Sequence, residues 1–242
     1  MNKCLKNIEN DDLRVIALIL AVILVAAIVL VVVKPGNSSR GNAAAEPEEI
    51  SFEDIEIDAS TNGISVVSAD NILGMYVEDG SNEVIDGIFT VTFKNTAEQT
   101  LQYAKLILTI GEEDYTFELS TIPAGETVRA MESNRKSYVP SEGDITLTQE
   151  NIVWFYEEPT MCENAVEIIS TDNGIVVKNI SNATITAPLY VYYKNYEDGI
   201  YIGGITYRAG TQQDLAAGES TVLSAKHFDS EASRLMFVTY AQ

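Results

Sequence analysis

The sequence is poor in the residue types that catalytic and metal sites use most. It has one histidine, His227, and two cysteines, Cys4 and Cys162, in 242 residues. A single histidine excludes a two-histidine metal site and a histidine relay within one chain. There is no G-x-S-x-G elbow, no glycine-rich phosphate loop and no calcium loop with alternating oxygen ligands. We therefore expect no enzyme activity, no metal and no cofactor, with His227 on the surface and Cys162 an idle thiol; a hydrolase that depends on His227 is the least favoured alternative.

Basic residues are also scarce. The chain has 15 Lys and Arg against 36 Asp and Glu, which gives a net charge of -21 at pH 7. Residues 1–48 carry as many basic as acidic side chains, so the whole excess of negative charge lies in residues 49–242. Such a surface repels nucleic acid and anionic lipid, because both are polyanions. We expect no nucleic-acid partner.

A single long apolar run, residues 15–33, contains no charge, no proline and no glycine. As a helix it is about 28 Å long, close to the roughly 30 Å hydrocarbon core of a bilayer. It predicts one transmembrane helix that acts as a signal anchor. The basic residues before it outnumber those shortly after it, which favours a cytoplasmic head over residues 1–14 and an extracellular location for the chain beyond the anchor.

Cleavage is the alternative to this anchor, because Ala43, Ala44 and Ala45 form a small-residue site. The apolar core of a cleaved signal is usually about 7 to 15 residues long and adjoins the site. Here the run is longer and a polar segment separates it from the alanines, which favours the uncleaved anchor. A lipoprotein is excluded because its cysteine follows the apolar run, whereas Cys4 precedes it. Residues 34–48 lack large apolar side chains and are typical of a flexible linker.

The sequence beyond the linker has the pattern of an all-β protein, with short runs of Val, Ile, Thr, Tyr and Phe between Gly, Asn, Asp and Pro. Three segments of the first half recur in the same order in the second half. They are Asn62-Gly63 with Asn173-Gly174, residues 89–95 with 189–195, and residues 123–128 with 216–221. This recurrence indicates duplication. It predicts two tandem antiparallel β-sandwiches after the transmembrane helix, the first over residues 49–161 and the second over residues 162–242.

Several motifs of the second half carry a resemblance to a known family. They are Val176-Val177-Lys178-Asn179, the strand that runs into Tyr196-Glu197-Asp198-Gly199, Gly204, and Ala217-Gly218-Glu219-Ser220. Together they resemble the FxLYD-type, immunoglobulin- or fibronectin-III-like domains of bacterial envelope proteins. The resemblance implies two Ig-like sandwiches that are tethered to a membrane and serve in binding.

Alternation along the repeated strand selects a candidate binding face. In residues 89–93 the odd positions are apolar and the even positions are threonine, so we expect the odd side chains in the core and the threonines in solvent. By the repeat, the odd positions of residues 189–193 are core and the even positions face outward. The outward residues and two tyrosines of the next strand form the candidate site: Tyr190, Tyr192, Lys194, Tyr201 and Tyr207. Exposed tyrosines offer contact area and a polar tip; the alternatives are ordinary strand propensity and packing against the first sandwich.

The sequence therefore predicts a non-catalytic, membrane-anchored binding or scaffolding protein of a bacterial cell envelope. Its partners are the membrane, through the anchor, and an envelope protein or glycan, through the tyrosines. The alternative is a structural accessory subunit of an envelope complex, in which residues 15–33 make the key contacts. Edge strands of a sandwich can pair between chains, so a monomer and an oligomer both stay open.

Overall fold

The computed structural model describes residues 57–172 and 174–241, which belong to one compact unit, Ile50–Gln242. The predicted cytoplasmic head, anchor and linker, residues 1–48, lie outside the described residues, as does Asn173 of the second Asn-Gly pair. No helix with the length and apolar character of a membrane span occurs in the described ranges. Their strands form largely antiparallel sheets, so the predicted all-β fold class is confirmed.

The described residues form thirteen strands. They are β1 (Ser60–Thr61), β2 (Ile64–Tyr76), β3 (Glu83–Asn95), β4 (Leu101–Ile110), β5 (Glu113–Ile122), β6 (Thr127–Met131), β7 (Ile145–Trp154), β8 (Val166–Thr171), β9 (Gly174–Asn179), β10 (Thr186–Glu197), β11 (Ile200–Thr211), β12 (Ser220–Leu223) and β13 (Ser233–Ala241). Runs of β-branched and aromatic residues supply these strands, and Gly, Asn and Asp supply the turns between them.

Hydrogen bonds join the strands into three sheets. One sheet has seven strands in the order β1-β2-β3-β6-β11-β10-β13, and two have three strands each, in the orders β5-β4-β7 and β12-β9-β8. Strands β6 and β11 pair in parallel, with Tyr201 opposite Val128 and Ile202 opposite Arg129. The seven-stranded sheet therefore contains strands from both halves of the chain.

The first core lies between the strands β2, β3 and β6 and the sheet β5-β4-β7. Phe89, Val91 and Phe93 of β3 are fully buried in it, as predicted from their alternation. Phe93 meets Phe117 of β5 edge to face, with 5.2 Å between ring centroids. The odd-numbered residues of β3 thus supply the centre of this core.

The two threonines between these residues, Thr90 and Thr92, are also buried, so their predicted exposure is wrong. Thr90 lies opposite Met131 of β6. Met131 belongs to a second apolar cluster with Ile88 and Tyr76. Because this cluster covers the end of β3, its even-numbered positions are not free in solvent there.

The second core lies between β10, β11 and β13 and the sheet β12-β9-β8. Leu189, Val191 and Tyr193 of β10 are buried in it, as predicted. Further along the same strand, Tyr196 packs against the first core and meets Tyr201 edge to face at 5.0 Å. Since Tyr193 and Tyr196 have opposite parity in the strand, the two cores lie on opposite faces of β10.

Two asparagine-centred turns reveal which strands of the two halves correspond. Asn95 ends β3 and donates through Nδ2 to the carbonyls of Gln99 and Ile122, at 2.9 and 2.8 Å. Asn179 ends β9 and donates through Nδ2 to the carbonyls of Ala183 and Leu215, both at 2.8 Å. The backbone N–H of Asn95 donates to the backbone carbonyl of Glu126, and that of Asn179 to the backbone carbonyl of Glu219. Each glutamate follows the glycine of one of the two matching turns.

It follows that β3 corresponds to β9 and β6 to β12. The match of residues 123–128 with 216–221 agrees with this correspondence. The other two matches are wrong: residues 89–95 with 189–195 pair β3 with β10, and Asn62-Gly63 with Asn173-Gly174 pair β2 with β9. Strands β3, β9 and β10 are all apolar and contain a Lys-Asn pair near their end, which explains the wrong alignment of β3 with β10. The seven-stranded sheet joins β2-β3-β6 of the first half to β11-β10-β13 of the second, which are not equivalent sheets.

Candidate functional site

The five predicted site residues lie on the hairpin β10–β11, but not on one surface. Tyr190 and Tyr192 are partly exposed. Lys194, Tyr201 and Tyr207 are buried, so their predicted exposure is wrong. The physical reason is the length of the hairpin, because one part of it packs in the second core and the other part is enclosed by the first half of the chain.

Tyr207 packs in the second core. Its ring stacks on Tyr193 at 5.6 Å, and its hydroxyl donates to the carbonyl of Val77, at 3.1 Å, in the turn after β2. Burial raises the pKa of Tyr207 to about 12, and the nearby charge of Glu78 acts in the same direction. Tyr207 therefore stays a hydroxyl donor at neutral pH and ties the first half of the chain to the second.

The register of β10 and β11 breaks around Lys194. Tyr193 lies opposite Tyr207 and Asn195 lies opposite Ile202, so residues 203–206 face Lys194 alone. Such a bulge leaves peptide groups without partners in the ladder. Buried peptide groups need hydrogen bonds, so other groups must satisfy them.

Lys194 satisfies the carbonyl groups of this bulge. Its Nζ donates to the carbonyls of Gly204 and Ile205, at 2.9 and 2.7 Å, and to the carbonyl of Ser120 in β5, at 3.2 Å. Burial lowers the pKa of Lys194 to about 7, while the charge of Glu78 opposes that shift. The three acceptors match the three N–H donors of an ammonium group.

Glu78 satisfies the N–H groups of the same bulge. Both of its carboxylate oxygens accept from the N–H of Gly204 at 2.9 Å, and one accepts from Ile205 at 3.2 Å. The other also accepts from the N–H of Met131 in β6, at 2.8 Å. Burial raises the pKa of Glu78, and these bonds and the charge of Lys194 work against the rise. We refer to the two residues as the Glu78–Lys194 pair; they join β5 and β6 of the first half to β11 of the second.

A cleft of about 290 Å³ adjoins this pair and is lined in part by Tyr76, Glu118 and Arg135. Arg135 forms ion pairs with Asp79 at 2.5 Å and with Glu83 at 2.7 Å, and its guanidinium lies 4.6 Å from the centre of the Tyr76 ring. Burial, followed by nearby carboxylates, raises the pKa of Tyr76 to about 12. The guanidinium of Arg135 is thus engaged with two carboxylates of the same chain.

Tyr190 and Tyr192 are partly exposed and lie beside the exposed Arg208 and the buried Phe237; we call these four residues the aromatic face. Tyr192 lies between Arg208 of β11 and Phe237 of β13 in the cross-strand register. Its ring stacks on Phe237 with 4.2 Å between centroids and 9° between planes. The guanidinium of Arg208 lies 4.7 Å from the centre of the Tyr190 ring.

Tyr190 is held in place by its neighbours on β11. It lies opposite Gly210, and its ring lies so close to that residue that a Cβ there would collide with it. Its hydroxyl accepts from the Nε2 of Gln212 at 2.9 Å. The space left by the absence of a side chain at Gly210, the guanidinium of Arg208 and the amide of Gln212 together hold the Tyr190 ring along β11. The aromatic face is therefore ordered before any partner arrives.

His227 and Cys162, the two residue types most used in catalysis, both pack against neighbouring residues. His227 is partly buried, stacks on Tyr207 at 4.7 Å and faces Asn82, with 3.4 Å between its Nδ1 and the amide nitrogen. It stays partly exposed at the surface, as predicted, and its partial burial lowers its pKa. Cys162 lies with its Sγ 3.7 Å from the carbonyl oxygen of Val238.

Sequence reasoning missed Glu78, Arg208 and Phe237. Because of the bulge, the sequence does not reveal that Arg208 lies opposite Tyr192. A regular hairpin around the Asp198-Gly199 turn would place Ile205 there. The paired glycines at 203 and 204 are the signal of that bulge, since glycine inside a strand often marks one. Comparison of this chain with family models, with curated proteins and with solved structures finds no match.

Proposed function

We propose that this chain is a non-catalytic binding or scaffolding protein of a bacterial cell envelope. In this proposal residues 15–33 anchor it in the membrane with residues 1–14 in the cytoplasm, and two Ig-like sandwiches are held outside the cell. The aromatic face is its contact surface for an envelope partner.

The strand order supports the Ig-like part of the proposal. In the second half β9 lies between β8 and β12, and β10 lies between β11 and β13; in the first half β3 and β4 occupy the matching central positions. Two facing sheets with these central strands are the arrangement of Ig-type sandwiches.

The single observation that carries the binding role is the ordered aromatic face. Aromatic side chains and arginine are the residues most enriched where protein surfaces bind tightly. Tyr190 is held by Arg208 and Gln212, and Tyr192 by Phe237, so little side-chain entropy is lost when a partner binds. The Glu78–Lys194 pair fixes the β11 strand that supports this face.

The proposal is tested by crosslinking in cells. Full-length chain and a Tyr190→Thr, Tyr192→Thr double variant are crosslinked to their neighbours, and the captured proteins are identified by mass spectrometry. We expect partners of the unchanged chain to be lost from the double variant. The matched control is Tyr156→Thr, because Tyr156 is 95% exposed and lies outside the aromatic face.

The same partners from the double variant and the unchanged chain would contradict the proposal. A second arm replaces residues 15–33 with an unrelated transmembrane segment. Loss of partners in that arm alone would favour the accessory subunit that acts through its anchor. Hydrolase activity that disappears in His227→Ala would favour the enzyme.

A further inference from the structure

We propose that the aromatic face recognises a protein partner through an acidic side chain, which the guanidinium of Arg208 binds beside the hydroxyls of Tyr190 and Tyr192. This inference rests on the proposed function, because it takes the aromatic face as the contact surface and names the chemistry that fits it. It narrows the expected protein or glycan partner to a protein.

Arg208 is the group that selects an acidic side chain. Its side chain is exposed, and one face of its guanidinium lies on the Tyr190 ring at 4.7 Å. No carboxylate of residues 57–172 or 174–241 lies within ion-pair distance of it, in contrast to Arg135, which has two. A guanidinium held by stacking presents its N–H edge in a fixed direction, which suits a carboxylate with two oxygens in one plane.

The packing of the rings favours a protein over a glycan. Sugars bind to aromatic residues by lying on an open ring face. Phe237 covers one face of Tyr192 at 4.2 Å, and Tyr190 lies between Arg208 and the backbone of Gly210. One face of the Tyr192 ring is therefore covered and the Tyr190 ring is packed on β11, which leaves less open ring face for a sugar than for contact through ring edges and hydroxyls.

The charge of the chain excludes the polyanions that an arginine also attracts. With a net charge of -21 at pH 7, it repels anionic lipid surfaces and anionic polymers over long distances. A single guanidinium carries one positive charge and offsets only one of these negative charges. An isolated carboxylate on an otherwise neutral or basic protein surface meets Arg208 without that repulsion. The positive charge of Arg208 and the negative net charge of the chain therefore both favour such a partner.

The test is a selection with a random twelve-residue peptide library displayed on phage, against the immobilised full-length chain. We expect the enriched peptides to share an Asp or Glu beside apolar residues. Replacing that acid by its amide in a synthetic peptide should weaken binding by about tenfold or more, the effect of a lost charged hydrogen bond. Arg208→Gln should weaken binding of the acidic peptide as much, and should add nothing to the loss seen with the amide peptide.

The matched control is Arg234→Gln, because Arg234 also lies over a tyrosine ring, that of Tyr196 at 4.8 Å, away from Tyr190 and Tyr192. It should leave peptide binding unchanged. Peptides that need Tyr192 but not Arg208, or stronger binding to phosphatidylglycerol vesicles or neutral oligosaccharides, would overturn this inference and leave the aromatic face as a contact surface. If the selection enriches no peptide relative to a parallel selection against the Tyr190→Thr, Tyr192→Thr variant, the inference and the protein-binding role are both overturned.

Discussion

Asn95 and Asn179 make the same contacts in the two halves of the chain. Each is fully buried and donates to two backbone carbonyls near the end of a strand. Truncation therefore removes two hydrogen bonds in each half. In the second half both carbonyls keep another donor, the N–H of Ile185 for Leu215 and the hydroxyl of Ser181 for Ala183.

We expect Asn95→Ala and Asn179→Ala each to lower the free energy of unfolding by about 1–3 kcal/mol, since each of the two lost hydrogen bonds contributes about 0.5–1.5 kcal/mol. Urea unfolding of the variants measures the change. Asn182→Ala is the control, because Asn182 is exposed in the turn that follows Asn179. A loss below about 1 kcal/mol at both buried positions would contradict the correspondence of the two turns.

Lys194 makes stability depend on pH. Its pKa is about 7 in the folded chain and 10.5 in its ordinary state. Between these values the unfolded chain binds more protons at this residue than the folded chain, so its contribution to stability rises with pH. Glu78 acts in the opposite direction, because its raised pKa makes the folded chain bind more protons above the ordinary value of 4.5.

We therefore expect the difference in unfolding free energy between the unchanged chain and Lys194→Met to increase in favour of the unchanged chain from about pH 7 to about pH 10. Denaturant unfolding at a series of pH values measures it. Lys94→Met, at an exposed lysine of β3, controls for removal of a positive charge. A difference that is flat or falls over this range would contradict the prediction.

At the scale of elements, the bulge at residues 203–206 decides how the hairpin β10–β11 works. It moves Arg208 opposite Tyr192, and it exposes the peptide groups that the Glu78–Lys194 pair binds. Gly204 is needed there because its Cα lies against the backbone oxygen of Glu118, where a Cβ would collide. The bulge thus brings β11 close to β5.

We expect Gly204→Ala to destabilise the chain by about 1–3 kcal/mol, the usual cost of adding an atom to a tightly packed place. The control is Gly74→Ala on β2, where an added Cβ meets only the Cδ1 of Ile72 at 3.9 Å. Thermal unfolding of both variants tests this. Equal stability of the two variants would contradict the close approach of β11 to β5.

The sequence predicts the elements better than their pairing. Alternation correctly places Phe89 in the first core, because burial on one face of a strand leaves a period of two. Tyr193 is also buried as predicted, although the match with residues 89–95 that predicted it is wrong. Alternation fails at Thr90 and Lys194, because the covering group comes from a distant part of the chain. Alternation also fails to reveal the bulge, in which four residues of β11 lie opposite the single residue Lys194 of β10. The position of Arg208 opposite Tyr192 is missed for the same reason.

At the scale of the whole described unit, the two cores share strands. Tyr193 of β10 packs in the second core and Tyr196 of the same strand packs against the first. The sequence predicts two sandwiches in succession but not a common sheet, since the parallel contact of β6 with β11 joins residues more than seventy positions apart. Shared strands predict that the cores unfold together.

We expect Leu223→Ala in the second core to lower the urea concentration at which the fluorescence of Trp154 changes, although Trp154 packs against the first core. Loss of a buried leucine costs about 2–5 kcal/mol, and the shared strands pass this cost to both cores. Val222→Ala is the control, because Val222 is on the same strand and is 67% exposed. A Trp154 transition that stays in place while circular dichroism shifts would contradict cooperative unfolding.

The central claim is that the aromatic face is the contact surface of the chain, and the most direct test is photo-crosslinking from that face in living cells. A photoreactive phenylalanine analogue is placed at position 192 or, as the control, at position 156, where the tyrosine is 95% exposed. The account predicts a discrete protein adduct from position 192 that position 156 does not give. Adducts from neither position, or the same adducts from both, would contradict it.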